Sequence, residues 1–314
     1  MSLITLSSPS RRRLLRSIQV LATLLLLALI LRDSSYEQFL GLRDSVEPAH
    51  LVATVCLSLL ATAVGAVALL LLFEVHNRLD WWGVFIADYF YVQAICLVTP
   101  AQMGEASLPY VGGRGRFAPG EIAAALVIQR IVALATLVAF AIWGAGSWVS
   151  SAYLWAATLF ILVACFVLVL LISNHRIRES VSQFIGKRFG PILHGFYVSC
   201  TAMLQQRRGR LLAHIASMQV RYLLAVASTY MLLAGFDIYV PFADLAALAA
   251  LASLAALLPV TINGVGVTEG VFVLALSSFG YAAAPVIAAC LAGRLINALV
   301  MVVVAAAYTA FRPK

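Results

Sequence analysis

The stretch LPVTINGVGVTEG, residues 258–270, decides how this chain is threaded. It closes one apolar run, Leu245–Leu258, and precedes another that begins at Val271. Proline cannot continue a helix interior and glycine weakens one, so Pro259, Gly264 and Gly266 break the helix around Asn263. An earlier stretch, PAQMGEASLP at 100–109, interrupts the chain in the same way after Trp82–Val98, with Pro100 and Gly104 as breakers. The interval from Glu105 to Arg130 is 25 residues, and so is the interval from Glu269 to Arg294. Both arginines are followed by two branched aliphatic residues, Ile131-Val132 and Leu295-Ile296. Two copies of one unit, approximately 81–146 and 240–311, are predicted.

Composition sets the solvent in which these copies fold. Of 314 residues, 63% are hydrophobic and 11% charged, too few charges to cover the surface of a water-soluble domain. The formal net charge of +8 comes from basic residues set between long apolar runs, which reads as a topology signal and not as a nucleic-acid stripe. Cys56, Cys96, Cys165, Cys200 and Cys290 form no paired spacing, so neither a disulfide framework nor a metal site is expected. No nucleophile, ATP or dinucleotide motif is present, and no cofactor is expected.

A span needs about 20 apolar residues to cross the hydrocarbon. Leu14–Leu31, Leu51–Phe73, Ile122–Gly144, Tyr153–Ile172, Leu212–Phe236 and Val286–Phe311 qualify. The first follows Arg11, Arg12, Arg13 and Arg16 and lacks a small-residue cleavage site, so it is read as a retained anchor with its N-terminus in the cytoplasm. The connection 173–210 carries Arg176, Arg178, Lys187, Arg188, Arg207, Arg208 and Arg210 against Glu179 alone, which marks it as cytoplasmic. Its apolar residues from Val181 to Phe196 recur at helical spacing, as in an amphipathic helix at the interface or a cap on the bundle. Parity then requires Trp82–Val98 and the segment after Pro100 to enter and leave on the cytoplasmic side. Leu245–Gly280 must do the same from the opposite side, leaving both termini cytoplasmic. The predicted fold is a single all-α polytopic membrane domain over 1–314, with about six full transmembrane helices and two re-entrant helical hairpins in an inverted repeat.

Arg130, Arg221 and Arg294 each lie deep within an apolar span. A charge at the bilayer centre costs at least about 2.5–3.5 kcal/mol, so these arginines need partners inside the bundle. Glu105 and Glu269 are the evident ones, with Asp88 a third acid if it faces inward. Each pair could serve only to clamp its hairpin to the following helix. Convergence of several charges from different elements instead points to a polar cavity, because broken helices inside a membrane persist where they line one. Three arginines against two glutamates leave a surplus positive charge suited to an anionic group such as phosphate.

In the segments PAQMGE (100–105), Gln129-Arg130, LPVTINGVGVTEG (258–270) and Gly293-Arg294, the chain resembles the transmembrane region of lysylphosphatidylglycerol synthases and its stand-alone, flippase-like relatives, from about Arg16 to Phe311. The resemblance implies a multi-pass protein of the bacterial inner membrane that moves an anionic or amphiphilic lipid, phospholipid or polyprenyl-phosphate-linked, between leaflets. It implies no enzyme activity: no charged globular segment follows the last span before Lys314, so lysyl transfer is not expected. Where the family often carries a basic residue after the first Gly-Glu, this chain has Leu108, so headgroup specificity does not transfer there. The alternative readings are a non-catalytic membrane partner and a membrane-embedded transferase in lipid or glycolipid biosynthesis. The partners expected are membrane lipid with an anionic headgroup, and a second copy of the chain or a lipid-biosynthesis enzyme; nucleic acid is not among them.

Overall fold

The computed structural model describes residues 47–73, 80–97, 99, 104–105, 107–108, 119–145, 190–257, 261 and 264–311. These form eight helices: α1 (Pro48–Leu70), α2 (Asp80–Cys96), α3 (Pro119–Ala145), α4 (Gly190–Gln205), α5 (Arg208–Ala234), α6 (Phe242–Ala256), α7 (Val267–Ser278) and α8 (Ala283–Phe311). No strand occurs among the described residues. Helices α1, α3, α5 and α8 are long and apolar enough to cross a membrane, which matches four of the six expected spans. The other two, Leu14–Leu31 and Tyr153–Ile172, lie outside the described residues, as does most of the basic connection before α4.

Helices α2, α6 and α7 have 17, 15 and 12 residues. At 1.5 Å per residue they reach about 25, 22 and 18 Å, less than the hydrocarbon thickness of about 30 Å. Helices α6 and α7 pack on each other as a hairpin. Its open end is clipped by Tyr281, whose hydroxyl donates to Tyr239 O at 2.6 Å and accepts from Tyr239 N–H at 3.1 Å. The two ends of the segment therefore lie together.

Antiparallel α1 and α5 make the most extensive helix contact. At one end Ser228 Oγ donates to Thr54 O at 2.9 Å while Thr54 Oγ1 reaches back to Ser228 O at 3.5 Å. At the other, Arg210 Nη1 donates to Phe73 O at 3.0 Å and Arg207 Nη1 to Leu72 O at 3.5 Å. Leu72 and Phe73 form the turn just past α1, whose own last carbonyls Val67 O, Leu69 O and Leu70 O accept from the N–H groups of residues 71–73, so the arginines fasten that turn and set positive charge near the negative end of the helix dipole. Around this pair the remaining contacts cross over: α2 packs on α8 and α6 packs on α3, while α1 touches α2 and α5 touches α6. Gly144 near the end of α3 meets the start of α6, where a Cβ would run into Ala243 O and lie 2.8 Å from Ala247 Cβ.

The buried apolar residues divide into two clusters. One joins α1, α2, Leu108, the first half of α3 and α4. The other joins the last half of α5 with α6, α7 and α8. Each contains one of the short helices that end at a breaker motif.

Both turns after those helices depend on glycine in the same way. Eight residues beyond Cys96, the last residue of α2, a Cβ on Gly104 would sit 2.7 Å from Cys96 N. Eight residues beyond Ala256, the last residue of α6, a Cβ on Gly264 would sit 2.6 Å from Ala256 Cβ. Gly264 also has φ +69°, a left-handed conformation that side chains disfavour. Of the residues expected at the two tips, Gly104, Gly264 and Gly266 are described; Pro100, Pro259 and Asn263 lie outside the described residues. Gly104→Ala and Gly264→Ala should each destabilise the protein by roughly 1–3 kcal/mol. At Gly83, with nothing within 4 Å, alanine should be neutral or stabilise by about 0.5–1 kcal/mol. Thermal unfolding in detergent separates the cases, and equal melting of all three variants would contradict the tight turns.

Candidate functional site

Each breaker turn carries a carboxylate, and each carboxylate meets the arginine 25 residues later. Arg130 Nη2 lies 2.8 Å from Glu105 Oε2, with the glutamate side chain 9% and the arginine 35% exposed. Glu269 is 1% exposed and is engaged by Arg294 through Nε to Oε1 and through Nη2 to Oε2 at 3.3 Å. The second carboxylate also organises its own turn. Its Oε2 accepts from Gly266 N–H at 2.7 Å, so Glu269 satisfies a donor at the start of α7 and places negative charge at the positive end of the helix dipole. Thr268 completes the arrangement, donating to Gly264 O at 2.7 Å and accepting from Arg294 Nη2. In the first turn Gly104 N–H donates to Thr99 Oγ1 at 2.9 Å and Ser107 Oγ donates to Gly104 O at 2.7 Å.

Arg221 differs from the other two arginines. It packs against the bare backbone of Gly65, where a Cβ would lie 2.9 Å from Arg221 Nε. No ion pair engages it among the described residues. Gly65 thus gives the guanidinium room at the α1–α5 contact without supplying a counter-charge.

Three cavities meet around Arg221 and Thr229. The largest, about 510 Å³, is bounded by α3, α5, α6 and α7 and holds Glu105, Arg130, Arg221 and Thr268 in its wall. A second, about 330 Å³, is lined by Glu269, Arg294, Cys290 and Ser253. A third, about 320 Å³, lies between α1, α2, α5 and α8 and is lined by Arg221, Gln93 and Asn297. Thr229 borders all three, and Arg221 borders the first and third. Five of the six charged residues singled out from the sequence therefore lie on adjoining cavity walls. The sixth, Asp88, is 1% exposed in α2 and lines none of them, so it supplies no charge to the cavity surface. Among the described residues there is no group of three His, Cys, Asp or Glu side chains able to hold a metal ion.

Several polar lining residues were not singled out from the sequence. Ser228 and Thr229 stand seven and eight residues after Arg221, two turns on, and so share its helix face. Asn297 stands three residues after Arg294, again a spacing that puts side chains on one face, whereas Gln93 has no such marker. Thr268 adjoins Glu269 in the chain, and its link to Arg294 depends on the turn geometry.

The family model described as the lysylphosphatidylglycerol synthase TM region matches residues 16–305. No curated protein matches the chain.

Breaking a buried ion pair leaves a charge without its partner, which costs about 3–5 kcal/mol. Arg294→Leu should approach that loss because Glu269 is 1% exposed, and Glu269→Leu combined with Arg294→Leu should recover part of it. Arg221→Gln should cost less than about 1 kcal/mol, since it strands no carboxylate. Thermal melts of the four proteins test the distinction; an Arg221→Gln protein as unstable as Arg294→Leu would mean that Arg221 has a structural partner.

Proposed function

The chain belongs to the lysylphosphatidylglycerol synthase transmembrane-region family, and from that premise we propose that it is a flippase-like lipid transporter of the bacterial inner membrane. It passes a lipid with an anionic headgroup between leaflets through the arginine-lined cavities. The observation that carries this reading is Arg221, a deep guanidinium with no ion pair among the described residues, in a wall shared by two cavities. A charge in an apolar span is expensive and marks a path or a ligand site. Guanidinium holds its charge at any physiological pH and matches a phosphate through two parallel hydrogen bonds.

In this reading the chain is two inverted copies, and the breaker segments are re-entrant hairpins. The crossed packing supports it: exchanging α1 with α5, α2 with α6 and α3 with α8 turns the α2–α8 contact into the α6–α3 contact, and the α1–α2 contact into the α5–α6 contact. The repeated eight-residue spacing to Gly104 and Gly264 and the repeated Glu–Arg pair follow the same exchange. The cytoplasmic side is the one where Arg207, Arg208 and Arg210 gather beside the end of α1. Both chain termini are assigned to that side in this reading.

The mechanism is an exchange of counter-charges. Glu105 and Glu269 hold Arg130 and Arg294. A phosphate that reaches Arg221 comes within the field of Arg130 as well, since both line the same cavity. It then competes with Glu105 for that guanidinium and loosens the first hairpin. Leaving toward the second cavity, it meets Arg294 and Glu269 in the same relation. The protein performs no bond-making chemistry; it supplies charge and hydroxyls across a layer that otherwise rejects a headgroup.

Leaflet exchange of fluorescent anionic phospholipid and polyprenyl phosphate in proteoliposomes is the test. The protein should accelerate exchange, and Arg221→Gln, folded by its melting profile, should reduce the rate by about tenfold or more. Equal rates for that variant and the unaltered protein would remove Arg221 from the path. Absence of exchange with every lipid would favour the partner or transferase reading.

A further inference from the structure

The 320 Å³ chamber between α1, α2, α5 and α8 differs chemically from the larger cavity that shares Arg221 with it. Arg221 is the only charged residue in its wall among the described residues, and its other polar groups are hydroxyls and amides. Of its four hydroxyl side chains, Ser58, Thr62, Ser228 and Thr229, the last three already have their protons engaged. Thr62 Oγ1 donates to Ser58 O at 2.9 Å, Ser228 Oγ to Thr54 O at 2.9 Å and Thr229 Oγ1 to Ala225 O at 3.0 Å. What these side chains can still offer is oxygen lone pairs, which call for donors on the ligand. Gln93 supplies the opposite need: its Nε2 is buried with no hydrogen-bond partner among the described residues, so it calls for an acceptor.

A group that brings donors and acceptors together and bears no positive charge satisfies this wall. An ammonium would supply donors, but it would sit beside Arg221 with no carboxylate in the chamber to offset the repulsion. Hydroxyl groups meet both demands. We infer that the chamber is the headgroup subsite of a bound lipid, and that this headgroup is an uncharged polyhydroxyl group, of the glycerol or sugar-ring type, carried on a phosphate held by Arg221. The hydrocarbon then lies on the other side of that phosphate, against Leu134, Leu137, Val226 and Phe272 of the larger cavity. The chamber volume of about 320 Å³ falls at the small end of the range in which small-molecule sites are found. The inference rests on the transport reading for its setting, since it assigns the chemistry of the same site.

Binding measured on the full chain in detergent tests it separately from transport. Short-chain phosphatidylglycerol and phosphatidylinositol present the glycerol and ring forms of the headgroup. Phosphatidic acid presents the phosphate alone, phosphatidylethanolamine an added ammonium, and glycerol 3-phosphate the polyol phosphate without a chain. At least one of the two polyol lipids should bind about tenfold more tightly than phosphatidic acid and phosphatidylethanolamine. Gln93→Leu and Asn297→Leu should remove the difference between the polyol lipids and phosphatidic acid. The comparison among lipids on the unaltered protein decides the matter even if either variant fails to fold. Phosphatidylethanolamine or phosphatidic acid binding as tightly as both polyol lipids would overturn the assignment. Glycerol 3-phosphate binding as tightly as the lipid would overturn its lipid source. Selective lipid binding without leaflet exchange would retain the subsite and reject transport; exchange without headgroup selectivity would do the reverse.

Discussion

The contact between Glu269 and Arg294 ties together a turn, the start of one helix and the middle of another. The carboxylate oxygens divide their roles between Gly266 N–H and the guanidinium, so one buried side chain closes the α6–α7 turn and fastens it to α8. In an apolar medium neither group can be left to solvent, because an unpaired backbone donor or an unpaired charge costs several kcal/mol there. Glu105 and Arg130 make the corresponding tie between the first turn and α3. The two ties fix where the chain leaves helical conformation, and the cavities open beside them.

The two sides of the site do not share a single core. One apolar cluster contains α2 and the first half of α3, and the other contains α6, α7 and α8. Between them α5 contributes Arg221 and the two hydroxyls that border the cavities. Tyr222 fastens this central helix to its neighbours: its hydroxyl donates to Ala246 O at 2.5 Å and its ring packs on Phe140 at 4.6 Å. Continuous packing through the middle would fill the cavity, whereas separate clusters joined by α5 leave polar groups accessible within the bundle.

Much of this was legible in the residues alone. The apolar runs and their basic flanks mark the long helices, because a span has a minimum length and arginine has a preferred side. The run beginning at Leu245 ends as a helix at Ala256, close to the Leu258 limit read from the sequence, because the breakers follow at once. The equal Glu-to-Arg spacing points to both ion pairs. The neighbours of each helix were not legible. A helix that is apolar on every side has no stripe to point at its partner, so the packing of α2 on α8 and α6 on α3 had no sequence signature. The same limit hid that Arg221 stands outside both ion pairs, since proximity between helices decides which charges meet, and it left open that Asp88 would line none of the three cavities.

The seam between α3 and α6 carries a consequence for how a lipid could travel. At Gly144 the two backbones approach so closely that a single methyl group would strike Ala243 and Ala247. A hydrocarbon tail is wider than a methyl group, so at that depth this seam is a closed wall and not a doorway. Any tail that trails through the bilayer while its headgroup crosses the interior has to leave the bundle by a different gap.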